Sequence, residues 1–379
     1  MNKMKIIHTS DWHLGRIIYG KSLLEDQQFF IEGFFYPLLE AEKPDAIILS
    51  GDIFDRQIAP AEALRMFDSF VGHICADLRL PLIAISGNHD GADRLGLGGR
   101  LLSSAGFHIT TKLDTDAPPV VLKGEREVHI YSLPYFDPAV ARDYTGDDSI
   151  RGFSDAYAEI VGRLKANLDK SAFNILVSHC FVAGAQSSDS ESPLFIGGSG
   201  ETEPAVFDGF DYVALGHLHR PQKAGEHGRY SGSPLKYSFD EENHNKSVTV
   251  LDIGADSFET SQIPVTPLRD MRTVEGGLDE LRAKAQTDPH KNDYIYAYLT
   301  GDPVFSPVEK LREFYPNTLG VRNGSAEQTA VSEKRASLKS SSPVTVFDEF
   351  LRQMCGAEPT DSDREIFTDA YTKAGGGNN

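Results

Sequence analysis

Short apolar runs alternate with longer segments of helical spacing along most of the chain. Five apolar runs have the length of buried strands, at residues 5–9, 46–50, 82–86, 174–178 and 212–215. Three segments repeat apolar residues every three to four positions and predict helices, at residues 23–42, 61–78 and 94–105. Three others have the pattern of antiparallel strands, at residues 128–133, 247–253 and 260–265. This alternation predicts an α/β protein with layered, mixed β-sheets flanked by helices.

The pattern changes near Pro267 and divides the chain into four parts. Residues 1–267 form the large layered domain, and residues 268–325 predict a small α/β domain with the order strand, helix, strand, helix, strand. Residues 326–343 are rich in Ser and Ala and poor in large apolar residues, as expected of a linker. Residues 344–374 predict a helix pair, whose second helix would begin at a capping box over residues 362–365.

Side chains that bind metal ions follow all five short strands. Parallel strands bring their carboxyl ends to one edge of a sheet, where α/β proteins place their sites. Two neighbouring divalent ions need a bridging carboxylate and a set of nitrogen and oxygen ligands. The candidate ligands are Asp11, His13, Asp52, Asn88, His179, His217 and His219.

Composition restricts the cellular setting. The chain has 379 residues, with 37 Lys and Arg against 56 Asp and Glu, a net charge of −19 that repels polyanions at long range. Three widely spaced cysteines cannot form a disulfide framework, which favours a reducing, cytoplasmic compartment. We find no signal-peptide core and no apolar run long enough to span a bilayer, and so expect a soluble protein that is not exported.

Five motifs occur in a fixed order, Ser10-Asp11-x-His13, Gly51-Asp52-x-x-Asp55, Gly87-Asn88-His89-Asp90, Ser178-His179 and Gly216-His217-x-His219. Together they resemble the signature of the calcineurin-like metallophosphoesterases. More narrowly, residues 9–15 and 212–222 resemble the SbcD family, the nuclease subunits of bacterial SbcCD complexes. The likeness extends over nearly the whole chain. It implies the calcineurin-like fold, with a small α/β capping domain and a C-terminal helix pair.

The resemblance assigns a role to each motif residue. Asp11, His13 and His219 would hold one ion, Asn88, His179 and His217 the other, and Asp52 would bridge them. Mixed oxygen and imidazole ligation suits Mn²⁺. His89 would face the scissile phosphate as a transition-state stabiliser or proton donor. Asp55 and Asp90 are expected to orient the ligand residues rather than bind metal.

The resemblance implies a DNA nuclease subunit, with 3′-to-5′ double-strand exonuclease and single-strand or hairpin endonuclease activity in DNA repair, recombination and replication. A phosphatase or phosphodiesterase for small molecules is the alternative, since the same metal core serves many substrates. A scaffold with a degenerate site is disfavoured by the intact ligand set. Residues 268–330 carry eight basic and ten acidic side chains, so DNA meets least repulsion there and in the linker. The candidate DNA contacts are Arg322, Lys334, Arg335 and Lys339.

The C-terminal helices carry more large apolar side chains than a short tail can leave in water. They could pack on the chain's own nuclease domain, but the polar linker favours docking on another protein. The resemblance implies SbcC, a coiled-coil ATPase, as partner, in a heterotetramer of two nuclease and two ATPase subunits whose nuclease subunits pair with each other. The candidate partner-binding residues are Val346, Phe347, Phe350, Leu351, Met354, Ile366, Phe367 and Tyr371.

One segment is left open by the sequence. Residues 184–202 have neither strand nor helix period and follow His179 closely. They are equally well explained as a loop near the site or as a solvent-exposed connection.

Overall fold

A computed structural model describes residues 3–191, 200–302, 304–323, 343–345, 347–348, 351 and 359–373. The chain divides into two compact units. The first contains Met1–Thr273 and His290–Ile295, and the second contains Val274–Pro289 and Tyr296–Asn379. The division therefore passes through two strands instead of following a single cut after residue 267. No helix in the described part of the chain is long and apolar enough to cross a membrane.

Two six-stranded sheets form the centre of the first unit. The first has the strand order Phe258–Pro264, Ser247–Ile253, Met4–Thr9, Ala46–Ser50, Leu82–Ile85 and Phe107–Thr110. The second has the order Gln222–Ala224, Gly228–Tyr230, Tyr212–Gly216, Phe173–His179, Val128–Leu133 and Val120–Leu122. Both contain parallel and antiparallel pairs, so the prediction of mixed sheets is confirmed.

The helices of the first unit follow the predicted segments with local interruptions. Leu24–Phe29 and Tyr36–Glu42 are joined by a π-helical turn at Phe30–Phe35, and Ala61–Val71 continues into a π-helical turn at Gly72–Asp77. The remaining α-helices are Ala92–Leu95, Gly99–Leu102, Pro138–Thr145 and Phe153–Lys165. Short 3₁₀ turns lie at Ser103–Ala105, Pro204–Phe207 and Phe239–Glu241. Minor strand pairs join Ile17–Ile18 to Lys21–Ser22 and Phe181–Val182 to Glu201–Thr202.

Alternation along the central strands separates three apolar cores. Ile7, Ile47 and Leu49 face the helices that cover the first sheet. Their neighbours Ile6 and Ile48 face inward and meet side chains of the second sheet. A third core lies between the second sheet and Phe153–Lys165. Since central strands are covered on both faces, they are continuously apolar, and the unit has the layers helix, sheet, sheet, helix.

Three local predictions are wrong. The expected helix over residues 94–105 is broken between Leu95 and Gly99, where Gly98 takes a positive φ of 76° that an α-helix cannot contain. Val128–Leu133 pairs antiparallel only on one side and parallel with Phe173–His179 on the other. The capping box of the last helix lies two residues earlier than predicted, because the side chains and backbone amides of Thr360 and Asp363 bond reciprocally.

Residues 271–323, most of which belong to the second unit, have the predicted order of strands and helices. Strands Met271–Gly276, Tyr294–Leu299 and Thr318–Asn323 form a three-stranded sheet in that order. Helices Leu278–Ala285 and Pro307–Arg312 connect them. Alternation buries Ile295, Ala297 and Leu299 on one face of the middle strand.

The C-terminal helix pair packs on itself where the structure describes it. Asp361–Lys373 is helical, and the Phe367 ring stacks on Phe347 with centroids 4.3 Å apart. Arg364 adds an ion pair with Asp348 at 3.0 Å. Most of the predicted linker, 326–342, lies outside the described residues, as do Val346, Phe350 and Met354.

Candidate metal centre

The two sheets meet at the carboxyl ends of their central strands, and the candidate ligands extend from this junction. His179 Nδ1 donates to the Ser50 carbonyl at 2.8 Å, which joins a strand of one sheet to a strand of the other. A Cβ added to Gly216 would lie 1.8 Å from the same carbonyl oxygen, so only glycine permits this approach. All seven predicted ligand residues lie within or next to this junction.

Asp11, His13 and His219 form the first cluster. Their ligand atoms lie within 4.8 Å of one another, and all three side chains are buried. The Nε2 atoms of His13 and His219 are 3.1 Å apart. Among the described residues, no hydrogen-bond partner reaches the buried Asp11 Oδ2.

Asp52, His179 and His217 form the second cluster, also with ligand atoms within 4.8 Å. The Asn88 Oδ1 atom joins it, 3.0 Å from His179 Nε2 and 3.2 Å from His217 Nδ1. Asp52 Oδ2 lies 3.4 Å from His179 Nε2 and 3.6 Å from His13 Nε2. Asp52 therefore lies between the two clusters, as a bridging carboxylate must.

Four of the ligand candidates take backbone conformations that side chains rarely adopt. The φ values of Asp11, His13 and Asp52 are 55°, 45° and 48°, and that of His217 is 104°. Such conformations persist where the surrounding structure enforces them and are concentrated at functional sites.

His89 is half-buried, whereas the side chains of the two three-residue clusters are buried. Its Nδ1 atom bonds to the Asp55 carbonyl oxygen at 2.8 Å and must carry a proton to do so. The neutral ring is therefore unprotonated at Nε2. Its ring centroid lies 4.8 Å from that of His13, and His13, Asp55 and His89 also bring ligand atoms within 4.8 Å of one another.

Asp90 and Asp55 act on the loops that carry the ligands. The Asp90 carboxylate accepts hydrogen bonds from the backbone N–H groups of Ile53, Phe54 and Gly87. It thereby holds the loop after Asp52 against the loop that carries Asn88. Asp55 accepts a hydrogen bond from Arg16 at 2.9 Å, and its carboxylate lies 3.8 Å from His13 Nδ1.

Burial and mutual attraction set the charges of the side chains at the junction. Burial opposes ionisation of both Asp52 and His179, but their mutual attraction dominates, so the pKa of Asp52 lies well below its ordinary value and that of His179 is raised. Burial lowers the pKa values of His13, His217 and His219, which keeps these imidazoles neutral. Neutral imidazoles and carboxylates are the forms that bind divalent metals. His179, whose raised pKa favours its charged form, and Asp11, whose pKa burial raises to about 8, would therefore each release a proton on binding an ion. The donor set, with its unsatisfied Asp11 oxygen, fits two such ions.

Several residues that support the loops were missed by the sequence reasoning. Gln27 donates from Nε2 to the carbonyl oxygens of Trp12 and His13 and accepts from the Gly15 N–H. Tyr237 donates to the Trp12 carbonyl at 2.6 Å. The open question about residues 184–202 is answered for Ser190, whose Oγ lies 2.6 Å from His219 Nδ1. Glu241 Oε1 lies 3.2 Å from His219 Nδ1, and Lys246 Nζ donates to the His219 carbonyl oxygen at 2.8 Å.

The predicted nucleic-acid and partner residues are only partly described. Arg322 is exposed on strand Thr318–Asn323, whereas Lys334, Arg335 and Lys339 lie outside the described residues. On the last helix, Ile366 is 67% exposed and Tyr371 38% exposed. Phe347 and Leu351 are half-buried.

Comparison with known proteins connects this geometry to a family. The sequence profile of the calcineurin-like phosphoesterases matches residues 4–221, and a profile described as the type 5 capsule protein repressor C-terminal domain matches residues 267–354. The chain is 34% identical over 354 residues to the SbcD nuclease of the SbcCD complex of Staphylococcus epidermidis, with 93% of each chain covered. The family resemblance found in the motifs is thereby confirmed. The chain belongs to the calcineurin-like metallophosphoesterases and, within them, to the SbcD nuclease family.

Proposed function

We propose that the protein is the DNA nuclease subunit of an SbcCD complex and hydrolyses DNA phosphodiesters with two divalent metal ions, most favourably Mn²⁺. The observation that carries this proposal is the position of Asp52 between two clusters of buried ligand candidates. Membership in the SbcD family supports DNA as the substrate rather than a small phosphate ester.

The proposed ligands are the residues of the two clusters. Asp11, His13 and His219 hold one ion, Asn88, His179 and His217 hold the other, and Asp52 bridges them. Two metal ions held there would lower the pKa of a bound water, which could then act as the nucleophile, and would supply positive charge for the phosphate oxygens. The mixture of carboxylate, amide and imidazole donors supports Mn²⁺ as the metal.

His89 acts on the substrate in this proposal. The Asp55 carbonyl fixes the proton on Nδ1 and sets the orientation of the ring. A second proton at Nε2 then makes the ring a hydrogen-bond donor to the phosphate or a proton donor to the leaving oxygen. Asp90 positions the ligand loops through its three backbone contacts.

The proposed substrates are duplex ends, cut by a 3′-to-5′ exonuclease activity, and single-stranded or hairpin DNA, cut endonucleolytically, in repair, recombination and replication. We assign the DNA contacts to the capping domain 268–325 and the linker 326–343. Arg322 supports this assignment because its side chain is exposed. Lys334, Arg335 and Lys339 are proposed from the sequence alone.

The helical segment 344–374 is proposed to bind SbcC. The exposed side chains of Ile366 and Tyr371 support this proposal, because they leave apolar surface on the last helix uncovered. Two nuclease and two ATPase subunits would assemble in the cytoplasm, with the DNA held mainly by basic surface on the ATPase.

Pairing of nuclease subunits is proposed to use the phosphoesterase domain 1–267. Leu97 and Leu101 support it, since their side chains are 81% and 80% exposed within one short segment. Leu97→Asp/Leu101→Asp should convert a dimer to a monomer in sedimentation, with the helix content unchanged. A wild-type chain that sediments as a monomer would contradict the pairing.

The substrate assignment is tested by offering alternative phosphodiesters. End-labelled duplex and hairpin DNA should be cut by the chain with Mn²⁺ and SbcC, and Asp52→Asn should abolish cutting. Rapid turnover of a cyclic or sugar nucleotide, with DNA left intact, would favour the small-molecule alternative.

A further inference from the structure

A buried carboxylate lies directly behind one of the candidate metal ligands. Glu241 is fully buried, and its Oε1 atom lies 3.2 Å from His219 Nδ1. The opposite ring nitrogen, Nε2, is the one that faces His13 in the first cluster. The two ring nitrogens of His219 therefore face different partners, a carboxylate on one side and the cluster on the other.

Lys246 compensates the charge of this carboxylate. Its buried ammonium pairs with Glu241 Oε2 and also donates to the His219 carbonyl and to Ser233 Oγ, each at 2.8 Å. All three ammonium hydrogens are thus used. One of them fixes the backbone of the same histidine whose ring contacts Glu241.

The loop before residue 192 adds two contacts to His219. Ser190 Oγ lies 2.6 Å from Nδ1 and also bonds to Glu241, and the His219 backbone N–H donates to the Glu191 carboxylate. Because the ring meets a carboxylate and a hydroxyl at Nδ1, the proton of the neutral imidazole belongs on Nδ1. Nε2 then presents its lone pair to the cluster.

The second cluster uses a weaker acceptor for the same purpose. His179 Nδ1 donates to the neutral carbonyl of Ser50. A carboxylate partner orients a ligand histidine and increases its basicity more than a carbonyl does. The ligand candidates His219 and His179 therefore have different partners at Nδ1, a carboxylate for His219 and a backbone carbonyl for His179.

We propose that Glu241, neutralised by Lys246, is a positioning residue that fixes the tautomer and orientation of His219 and thereby sets the affinity of the first ion site. This inference rests on the proposed function, in which His219 is a metal ligand. Stability alone does not explain the charged pair of Glu241 and Lys246, because a buried ion pair can often be replaced by apolar side chains with little loss of stability.

Glu241→Gln is the direct test, because the amide keeps the shape of the side chain and loses its charge. Mn²⁺ binding to the metal-stripped full chain is followed by calorimetry, and free Mn²⁺ is counted by electron paramagnetic resonance. We expect two ions in the wild type. In Glu241→Gln, one ion should bind about 10- to 100-fold more weakly while the other is unaffected.

Two further variants separate positioning from stability. Glu241→Gln/Lys246→Met removes both charges, and should regain thermal stability without regaining the affinity of the first site. Asp293→Asn breaks a partly buried ion pair, with Arg272, away from the clusters. It should lower stability and keep both ions.

The outcomes distinguish this inference from the proposed function. Two ions bound with wild-type affinity in Glu241→Gln would overturn the positioning role and leave the two-metal proposal intact. Recovery of metal affinity together with stability in the double variant would assign Glu241 a purely structural role and also overturn it. A wild-type chain that binds no metal would overturn the proposed function itself.

Discussion

The backbone N–H of His89 donates a hydrogen bond to Asp52 Oδ1 at 2.9 Å. The other carboxylate oxygen of Asp52 faces His13 and His179. One carboxylate thus contacts both clusters of candidate ligands and the loop that carries the proposed catalytic histidine. The contact is made through the His89 backbone, so the imidazole can be removed without removing it.

The first prediction separates the roles of these two residues. Asp52→Asn should lose bound metal and cleavage together, because the bridging charge is lost. His89→Ala should retain both ions and lose turnover by about 10²- to 10⁴-fold, the usual contribution of a general acid or base. Metal content by mass spectrometry, measured beside cleavage rates, checks both variants. A metal-free His89→Ala protein would show that the roles are divided wrongly.

A glycine substitution tests the close packing behind Asp52. A Cβ at Gly87 would lie 2.2 Å from Asp52 Oδ1, so Gly87→Ala should displace the carboxylate and lower both metal affinity and stability. Gly162→Ala is the matched control, since open space surrounds Gly162 within helix Phe153–Lys165. That change should raise stability by about 0.5–1 kcal/mol and leave metal binding unchanged. Equal effects of the two changes would contradict the packing argument.

The pH dependence of stability should depend partly on His8. Burial, aided by the charge of Arg229, lowers the pKa of His8 to about 3, whereas an unfolded histidine titrates near its ordinary value of about 6.5. The unfolded chain therefore binds a proton that the folded chain excludes. Above pH 6.5, His8 does not lower the free energy of unfolding. As the pH falls from 6.5 towards 3, His8 lowers the free energy of unfolding by up to about 1.4 kcal/mol per pH unit.

Urea unfolding of the wild type and of His8→Gln between pH 7.5 and 4.5 measures this contribution. The free energy of unfolding should fall more steeply with decreasing pH in the wild type. Parallel curves for the two proteins would show that His8 is not excluded from protonation in the folded state.

Truncation after Ser340 tests the partner assignment. The shortened chain lacks the whole helical segment 344–374 and keeps every candidate metal ligand. It should cleave short DNA with Mn²⁺ at the wild-type rate and fail to co-purify with SbcC or to support ATP-dependent processing. Retention of SbcC by the truncated chain would refute docking through these helices.

The candidate ligands could be found from the sequence because each follows a short apolar run directly. Their convergence depends only on parallel strands ending at one edge, which is a property of the fold class. Glu241 and Lys246 offered no such signal. They reach His219 from 22 and 27 residues further along the chain, from a short helical turn and from the residue just before strand Ser247–Ile253, and not from the carboxyl end of a strand.

The role of Gln27, in helix Leu24–Phe29, could not be predicted from the sequence either. Its position is polar within an apolar pattern, which indicates a surface residue, yet its side chain is buried against the His13 loop. The break at Gly98 was detectable, since Gly96, Gly98 and Gly99 cluster inside the predicted helix. The parallel pairing of Val128–Leu133 was not, because strand patterns do not encode the direction of a neighbour.

Stepwise addition of Mn²⁺ to the metal-stripped chain, with bound ions and cleavage of short DNA measured in the same samples, tests the two-metal nuclease most directly. Cleavage should be absent without metal, remain low after the first bound ion and rise as the second ion per chain is bound. Full cleavage with one bound ion, or DNA left uncut with two, would contradict it.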